Sequence, residues 1–295
     1  MKSKTRRQRF KRALLLPGRY GVSEKKFLRR LEDMVALLKR HGVVGTFPTT
    51  ATVLERHPAI AKILDGMELA IHGYNHRDMS GVEKDRQESM IREAIEIFRS
   101  FNLEVNGFRA PYLRWSDSTL DAVAGVGLLY DSSIPVAWRC GKDVDSATLL
   151  KDALASYGVG EVGTHFPAIR GNLVEMPVAV PDDEILIDRV DVSATDRLTK
   201  ALMAMTDSAV LSGGHLVLQL HPERFHIFGN ALDDVLKHAL EQRIWIASLG
   251  EVAKWWKEKT ASGPAWSGGA GCALTISGDI DAVTLGDFIV RRFGR

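Results

Sequence analysis

From Ser23 onward, apolar residues recur at Phe27, Leu28, Leu31, Met34, Val35, Leu37 and Leu38, steps of three and four that set one face of a helix. Ser23 is its candidate N-cap and Gly42 its stop. The period then changes. VVGTFPTT is a short apolar run that reads as a strand buried on both faces, and MELAIHGYNH reads the same way until it runs out into polar residues. Between them TATVLERHPAIAKIL is helical with a break at Pro58. The alternation continues through helix EKDRQESMIREAIEIFRSF, strand VNGFRAPY, helix SDSTLDAVAGVG, strand LLYDSSI and strand NLVEMPVAV. It ends with helix SATDRLTKALMAMTDSAVL, strand HLVLQLHP, helix NALDDVLKHALEQ, strand IWIASL and helix LGEVAKWWKEK. Strands separated by helices imply right-handed βαβ units and a mostly parallel sheet, an α/β fold that is either open or closed as a barrel.

Sheets of this kind place their sites at the carboxyl ends of the strands. His72 follows MELAI, Arg109 follows VNGF, Asp131 follows GLLY, His221 follows LVLQL and Asp279 follows ALTISG, so these strand ends are expected on one rim.

At 295 residues with 45% hydrophobic and 26% charged positions, the chain fits a single large α/β domain. No apolar run reaches the roughly 18–20 residues that cross a bilayer, and ALLLP is too short for a signal-peptide core, so a cytoplasmic protein is expected. Cys140 and Cys272 stand far apart and outside any CxxC spacing, which argues against a zinc knuckle or a disulfide framework and for buried small hydrophobes. The net charge is only +2, yet MKSKTRRQRFKR carries seven Lys/Arg and no acid. Such an arm is a solvated terminus or a contact for an anionic surface, such as the inner membrane face. Without aromatic interleaving or a recognised motif, no nucleic-acid partner is expected. Lys257 to Gly271, KEKTASGPAWSGGAG, reads as a linker. The expected organisation is therefore an arm at 1–12, a main body at 13–256, the linker at 257–271 and a closing segment at 272–295.

HGYNH puts His72 and His76 four residues apart, close enough to face one ion, but such a pair lacks a third protein ligand. The run ELAIHGYNH, GFRAPYLRWS, YDSSI, VEMPVAVPDDE and LVLQLHPER, in that order from Gly42 to Trp256, resembles the polysaccharide deacetylase family, carbohydrate esterase family four. The resemblance implies a distorted (β/α) barrel and a divalent metal, usually zinc, on His72 and His76. It also implies that Arg109 of RAPY orients a catalytic aspartate and that His221 is a general acid.

The front of the chain departs from that pattern. Members of the family open with a strand ending in two acids, whereas ALLLPGRYG has Pro17, Gly18 and Arg19 there. The late run CALTISGDID resembles the missing strand, with the D-x-D form that some intracellular-type members use. First and last strands of a closed barrel are neighbours, so a circularly permuted chain keeps the spatial order. The expected slot lies between the strand ending at Ser248 and VVGTF, with a short closing helix in AVTLGDFIVRRFG.

On this reading Asp281 completes the metal site and Asp279 is the base. A zinc ion, or another divalent transition metal, with open positions lowers the pKa of water toward about 7 and polarises an amide carbonyl. A backbone N–H near Tyr112 serves the oxyanion, Leu220 and Trp115 are further substrate-contact candidates, and Asp182 or Asp183 tunes His221. The implied activity is deacetylation of an N-acetylated amino sugar. Rivals are a cyclic imide or ureide amidohydrolase on the same scaffold and a non-catalytic ligand-binding barrel.

Plainer readings stand beside these. SGDID also suits a β-turn with solvated acids, and Arg109 could staple strand ends by pairing with Asp131. His165, His215 and His226 read as surface or supporting residues, and Trp245, Trp255 and Trp256 as core packing.

Overall fold

The computed structural model describes residues 19–159, 165–192, 194–259 and 266–293; the basic arm and linker positions 260–265 lie outside them. Helix α1 (Lys25–Arg40) buries Phe27, Leu31, Met34, Val35, Leu37 and Leu38, the stripe expected from their spacing, although Glu24 rather than Ser23 occupies the N-cap. Strand β1 (Thr46–Thr49) follows, then α2 (Ala51–Arg56) and α3 (Ala59–Ile63), divided at Pro58 as expected. Next come β2 (Glu68–Ile71), α4 (Lys84–Ser100), β3 (Gly107–Phe108), α5 (Asp117–Gly125), β4 (Tyr130–Asp131) and β5 (Pro135–Ala137).

The middle of the chain departs from the expected alternation. Helices α6 (Lys142–Asp145) and α7 (Thr148–Ser156) and an antiparallel hairpin of β6 (Ala168–Arg170) with β7 (Leu173–Glu175) appear where no element was anticipated before Asn172. NLVEMPVAV is two strands rather than one, because Pro177 has no N–H to continue a ladder. Its second half, β8 (Val178–Val180), pairs with β5 in a separate two-stranded sheet that packs beside β9. The chain ends with α8 (Thr195–Ser212), β9 (His215–Leu220), α9 (Phe225–Glu241), β10 (Trp245–Ile246), α10 (Leu249–Glu258), β11 (Ala273–Gly278) and α11 (Leu285–Phe293).

The main sheet runs β10-β11-β1-β2-β3-β4-β7-β6 with β9 on the other side of β11, and all its pairs are parallel except β6 with β7. It curls with helices packed around it, a distorted (β/α) half-barrel. Strand β11 pairs with β9 along its length, from Ala273 opposite His215 to Gly278 opposite Leu220. Its other edge is shared: β10 takes Ala273 and Leu274, and β1 takes Ser277, with a further bridge from Thr49 to Ile280. The slot is thus bounded by β9 rather than lying simply between β10 and β1, because two-residue β10 reaches only the start of β11.

All six residues of β11 are buried, as a parallel strand covered on both faces requires. Its two polar side chains are satisfied locally. Thr275 Oγ1 donates to the Ala247 carbonyl at 2.8 Å, and Ser277 Oγ donates to that of Leu218 at 2.9 Å.

The segment after β11 is fastened to the front of the chain. The Leu285 N–H donates to the Gly21 carbonyl at 3.0 Å, and Gly21 bridges Thr284 in parallel. Asp287 on α11 accepts from Arg56 at 2.7 Å and meets His57 Nε2 at 2.8 Å. Its hydrogen bond raises the His57 pKa against the effect of burial. Trp266 is fully buried, donates from Nε1 to the Gly213 carbonyl at 2.8 Å and stacks on Phe166, so 266–271 is anchored chain rather than linker. Trp245, Trp255 and Trp256 join that aromatic cluster, and both cysteines are buried and free. No helix among the described residues is long and apolar enough to cross a membrane.

Candidate active site

His72 leaves the end of β2, and its Nδ1 lies 2.8 Å from the Arg109 carbonyl. A carbonyl only accepts, so Nδ1 carries the proton and Nε2 presents its lone pair. Gly73 then takes a left-handed φ of 74°, and a Cβ there would stand 2.9 Å from the Pro111 ring. Only glycine suits that turn, which brings His76, itself at φ 54°, back beside His72 with ring centroids 4.8 Å apart.

From the other end of the sequence, Asp281 places Oδ1 3.2 Å from His72 Nε2 and 3.1 Å from His76 Nε2. Donors about 2.0–2.2 Å from one ion sit roughly 3.3–3.6 Å apart in tetrahedral geometry, so the set is close to a ligand triad. Among the described residues no hydrogen-bond donor is aligned on Asp281 Oδ1 although it is buried, which is the condition of an atom awaiting a cation. Burial pushes the His76 imidazole down to about 3, so it is neutral at pH 7. Burial alone would raise Asp281, but the contact with His76 Nε2 and the charge of Arg291 outweigh it and hold the carboxyl well below the usual range. The residues therefore fit a divalent metal.

Asp279, two residues earlier, is fully buried. Its Oδ1 accepts from Arg109 Nη1 at 2.6 Å and its Oδ2 from Gln219 Nε2 at 2.9 Å, leaving Oδ2 3.9 Å from His72 Nε2. Arg109, equally buried, spends its other donors on the Ser132 carbonyl, Ser132 Oγ and Ser277 Oγ. It does not pair with Asp131. That carboxylate accepts from the N–H and Oγ of Ser133, whose Oγ accepts from the Ala110 N–H, so Asp131 shapes the RAPY turn rather than orienting Arg109. Arg19, standing where the first-strand acids were expected, is buried and pairs with Asp188.

His221 follows β9, and its Nδ1 lies 2.5 Å from Asp183 Oδ1. Burial would lower this imidazole, but the Asp183 carboxylate outweighs it and holds the pKa well above the ordinary value. Asp182 instead accepts from the Ile185 N–H at 2.7 Å, and burial pushes it up to about 7. Asp183 is thus the direct partner. These acids and His221 form a second cluster of donor atoms, but the His221–Asp183 hydrogen bond already engages it. An Asp183→Asn change removes the main group that opposes burial, leaving Glu223 to raise and Arg224 to lower the imidazole, so if His221 is the acid the alkaline limb of a pH–rate profile is expected to move down by about 1–3 units. An unmoved limb would exclude His221 as the acid.

Of the substrate-contact candidates, Tyr112 stands at the mouth, 44% exposed, with its ring edge-on to His76 at 4.5 Å. Trp115 is half-buried, with part of its ring packed against the core. Leu220 is buried, and its carbonyl accepts the Asp279 N–H at 2.9 Å, so it sets the register of Asp279. His215 meets Thr275 Oγ1, and His165 the Ala137 carbonyl, as supporting residues.

Two residues of the site escaped the sequence reading. Gln219 lies two positions before His221 on β9, a period-two relation that puts both on one face. Arg291 on α11 reaches Asp281 Oδ2 at 2.6 Å, and nothing in the sequence distinguishes it from its neighbour Arg292. A cleft lined by Thr50, Tyr74, Asn75, His76, Asp281 and Arg291 opens beside the triad.

Residues 28–130 match the family described as Polysaccharide deacetylase, a stretch that holds His72, His76, Arg109 and Tyr112. The chain is 28% identical over 123 residues to the peptidoglycan deacetylase-like protein FGM2 of Gibberella zeae, covering 41% of this chain and 34% of that one. It is 31% identical over 109 residues to the chitooligosaccharide deacetylase of Azorhizobium caulinodans, covering 35% of this chain and 48% of that one. The match thus spans less than half the length of either relative. Among solved structures, a candidate polysaccharide deacetylase from Mycobacterium smegmatis superposes with TM-score 0.56 at 21% identity, covering 82% of each chain. Puue allantoinase superposes with TM-score 0.58 at 17% identity, covering 77% of this chain and 72% of its own. At these identities the likeness is one of fold.

Proposed function

We propose that this chain, which belongs to the polysaccharide deacetylase family, hydrolyses the N-acetyl amide of an amino sugar, with its C-terminal strand supplying both catalytic carboxylates. The observation that carries the reading is the meeting of Asp281 Oδ1 with His72 and His76, at 3.2 and 3.1 Å, across the length of the sequence. His72, His76 and Asp281 would hold a divalent ion such as zinc. When bound, that ion supplies the Lewis acidity that polarises the acyl carbonyl and makes water nucleophilic at neutral pH.

The protein's own groups do the rest. Asp279 accepts the proton of the attacking water through Oδ2, while Arg109 and Gln219 fix the carboxylate's orientation. The backbone N–H at Tyr112 donates to the developing oxyanion. The C–N bond then breaks as His221, kept protonated by Asp183, gives its proton to the leaving amine, releasing acetate and a free amino sugar. Strand β11 takes the place of the family's opening strand, and we read the chain as a circular permutant on that basis.

Release of acetate from chito-oligosaccharides tests the reaction. Activity is expected to fall to background after treatment with a chelator and to return with Zn2+, and Asp281→Ala is expected to bind no metal. Ring opening of a cyclic ureide without acetate release would transfer the assignment to an amidohydrolase, and neither activity in the zinc-loaded protein would leave a binding module.

A further inference from the structure

Arg291 is a cation in an unusual place. Only 9% of its side chain is exposed, and its guanidinium lies over the ring of Phe288 at 5.2 Å and that of Tyr112 at 5.7 Å. Its Nη1 is 2.6 Å from Asp281 Oδ2, and the Asp281 carboxylate strengthens its charge against burial. The Tyr112 ring in turn meets His76 edge-on at 4.5 Å. Arg291, Asp281, His76 and Tyr112 therefore close a ring of contacts that joins α11 to both loops of the site.

We propose that Arg291 is a positioning residue that makes Asp281 a one-oxygen ligand. By occupying Oδ2, the guanidinium stops the carboxylate from rotating and from chelating through both oxygens, and only Oδ1 is left facing His72 and His76. Through its stacking contact it also holds the Tyr112 turn over the site. A simple counter-ion role predicts the reverse behaviour. A guanidinium held only for charge balance repels a nearby divalent ion, so its neutralisation would tighten metal binding.

This role rests on the metal reading of His72, His76 and Asp281, and the test separates the two. Zn2+ affinity is measured by chelator competition on the full chain and on Arg291→Met, Arg291→Lys and Ile289→Ala, the last an exposed position on the same helix. Arg291→Met is expected to weaken Zn2+ binding by about 10–100-fold, and Ile289→Ala to leave it unchanged. Arg291→Lys keeps the charge without the planar fork and guards against a failure of the Met variant to fold; it is expected to recover only part of the affinity. With Co2+ as the probe, the visible band of the Lys variant should weaken relative to the parent as Asp281 gains freedom to bind through both oxygens. Wild-type affinity and an unchanged Co2+ spectrum in Arg291→Lys, or tighter binding in Arg291→Met, would overturn the positioning role alone. Absence of Zn2+ binding by the unaltered chain would overturn the metal reading and this role together.

Discussion

An Asp279→Asn protein is expected to keep its metal, lose nearly all turnover and melt at a clearly lower temperature than the parent. The three outcomes have separate causes. Asp281, His72 and His76 are untouched, so the donor set survives. The group proposed to accept the water's proton is gone, and a positioned general base contributes about 10²–10⁴-fold. The stability loss comes from Arg109, which is fully buried and has its 2.6 Å ionic contact with Asp279. Removing one partner of such a pair leaves an uncompensated buried charge, at a cost of about 3–5 kcal/mol. The asparagine amide also cannot accept from both Arg109 and Gln219 as the carboxylate does. Adding Arg109→Met should therefore restore part of the lost stability and none of the turnover. Calorimetry, metal stoichiometry and acetate release, measured below the variant's melting range, check each outcome. Turnover above a tenth of the parent's would show that another group takes the proton.

The parts legible in the sequence are those where local pattern and tertiary role coincide. Parallel strands covered on both faces read as unbroken apolar runs, so β2, β9 and β11 stand out, and the polar residue after each run falls at the rim by construction. The join of β11 to the front of the chain was likewise open to inference from ALTISGDID and the empty place before α1. What was hidden depends on contacts with no local trace. Arg291 lies on an amphipathic helix whose cationic face would ordinarily be solvated, and only the docking of α11 on Gly21 and His57 turns it inward. Trp115 and Tyr112 are near neighbours in the RAPY segment; the left-handed backbone of Tyr112, φ 60°, turns its ring to the mouth, while Trp115 packs on the core. Gln219 reads as one more strand residue because its partner, Asp279, lies 60 residues away, just past the end of neighbouring β11. The division of NLVEMPVAV needed knowledge of which ladders Pro177 could not join.

Ending the chain at Lys259 is expected to abolish folding, not merely metal binding. Leu274, Ile276, Ile280 and Val283 are all essentially buried, and at about 1.5–3 kcal/mol for each such side chain their loss removes roughly 6–12 kcal/mol. That is comparable to the whole net stability of an ordinary domain, about 5–15 kcal/mol. The truncated chain would also bare the hydrogen-bonding edge of β9, strip Arg109 of Asp279, and leave Phe166 and Trp256 without Trp266. Circular dichroism should show a loss of cooperative melting, and exposed strand edges should drive aggregation. Moving residues 272–293 to the front of the chain, with residues 1–18 as the joint, restores the pairing of β11 with β9 and the Asp279–Arg109 ion pair without restoring the order of the sequence. Gly21 and Thr284 already run side by side, so the relocated segment keeps its existing contact with the front of the chain. The relocated chain is expected to melt cooperatively and to bind one Zn2+ per chain. If it folds but binds none, β11 has lost its register against β9, because a slip of one residue turns Asp279 and Asp281 away from the histidines. If it does not fold at all, the C-terminal position of the strand is itself required, and the permutation reading fails on the physical ground that strand order in space would not suffice.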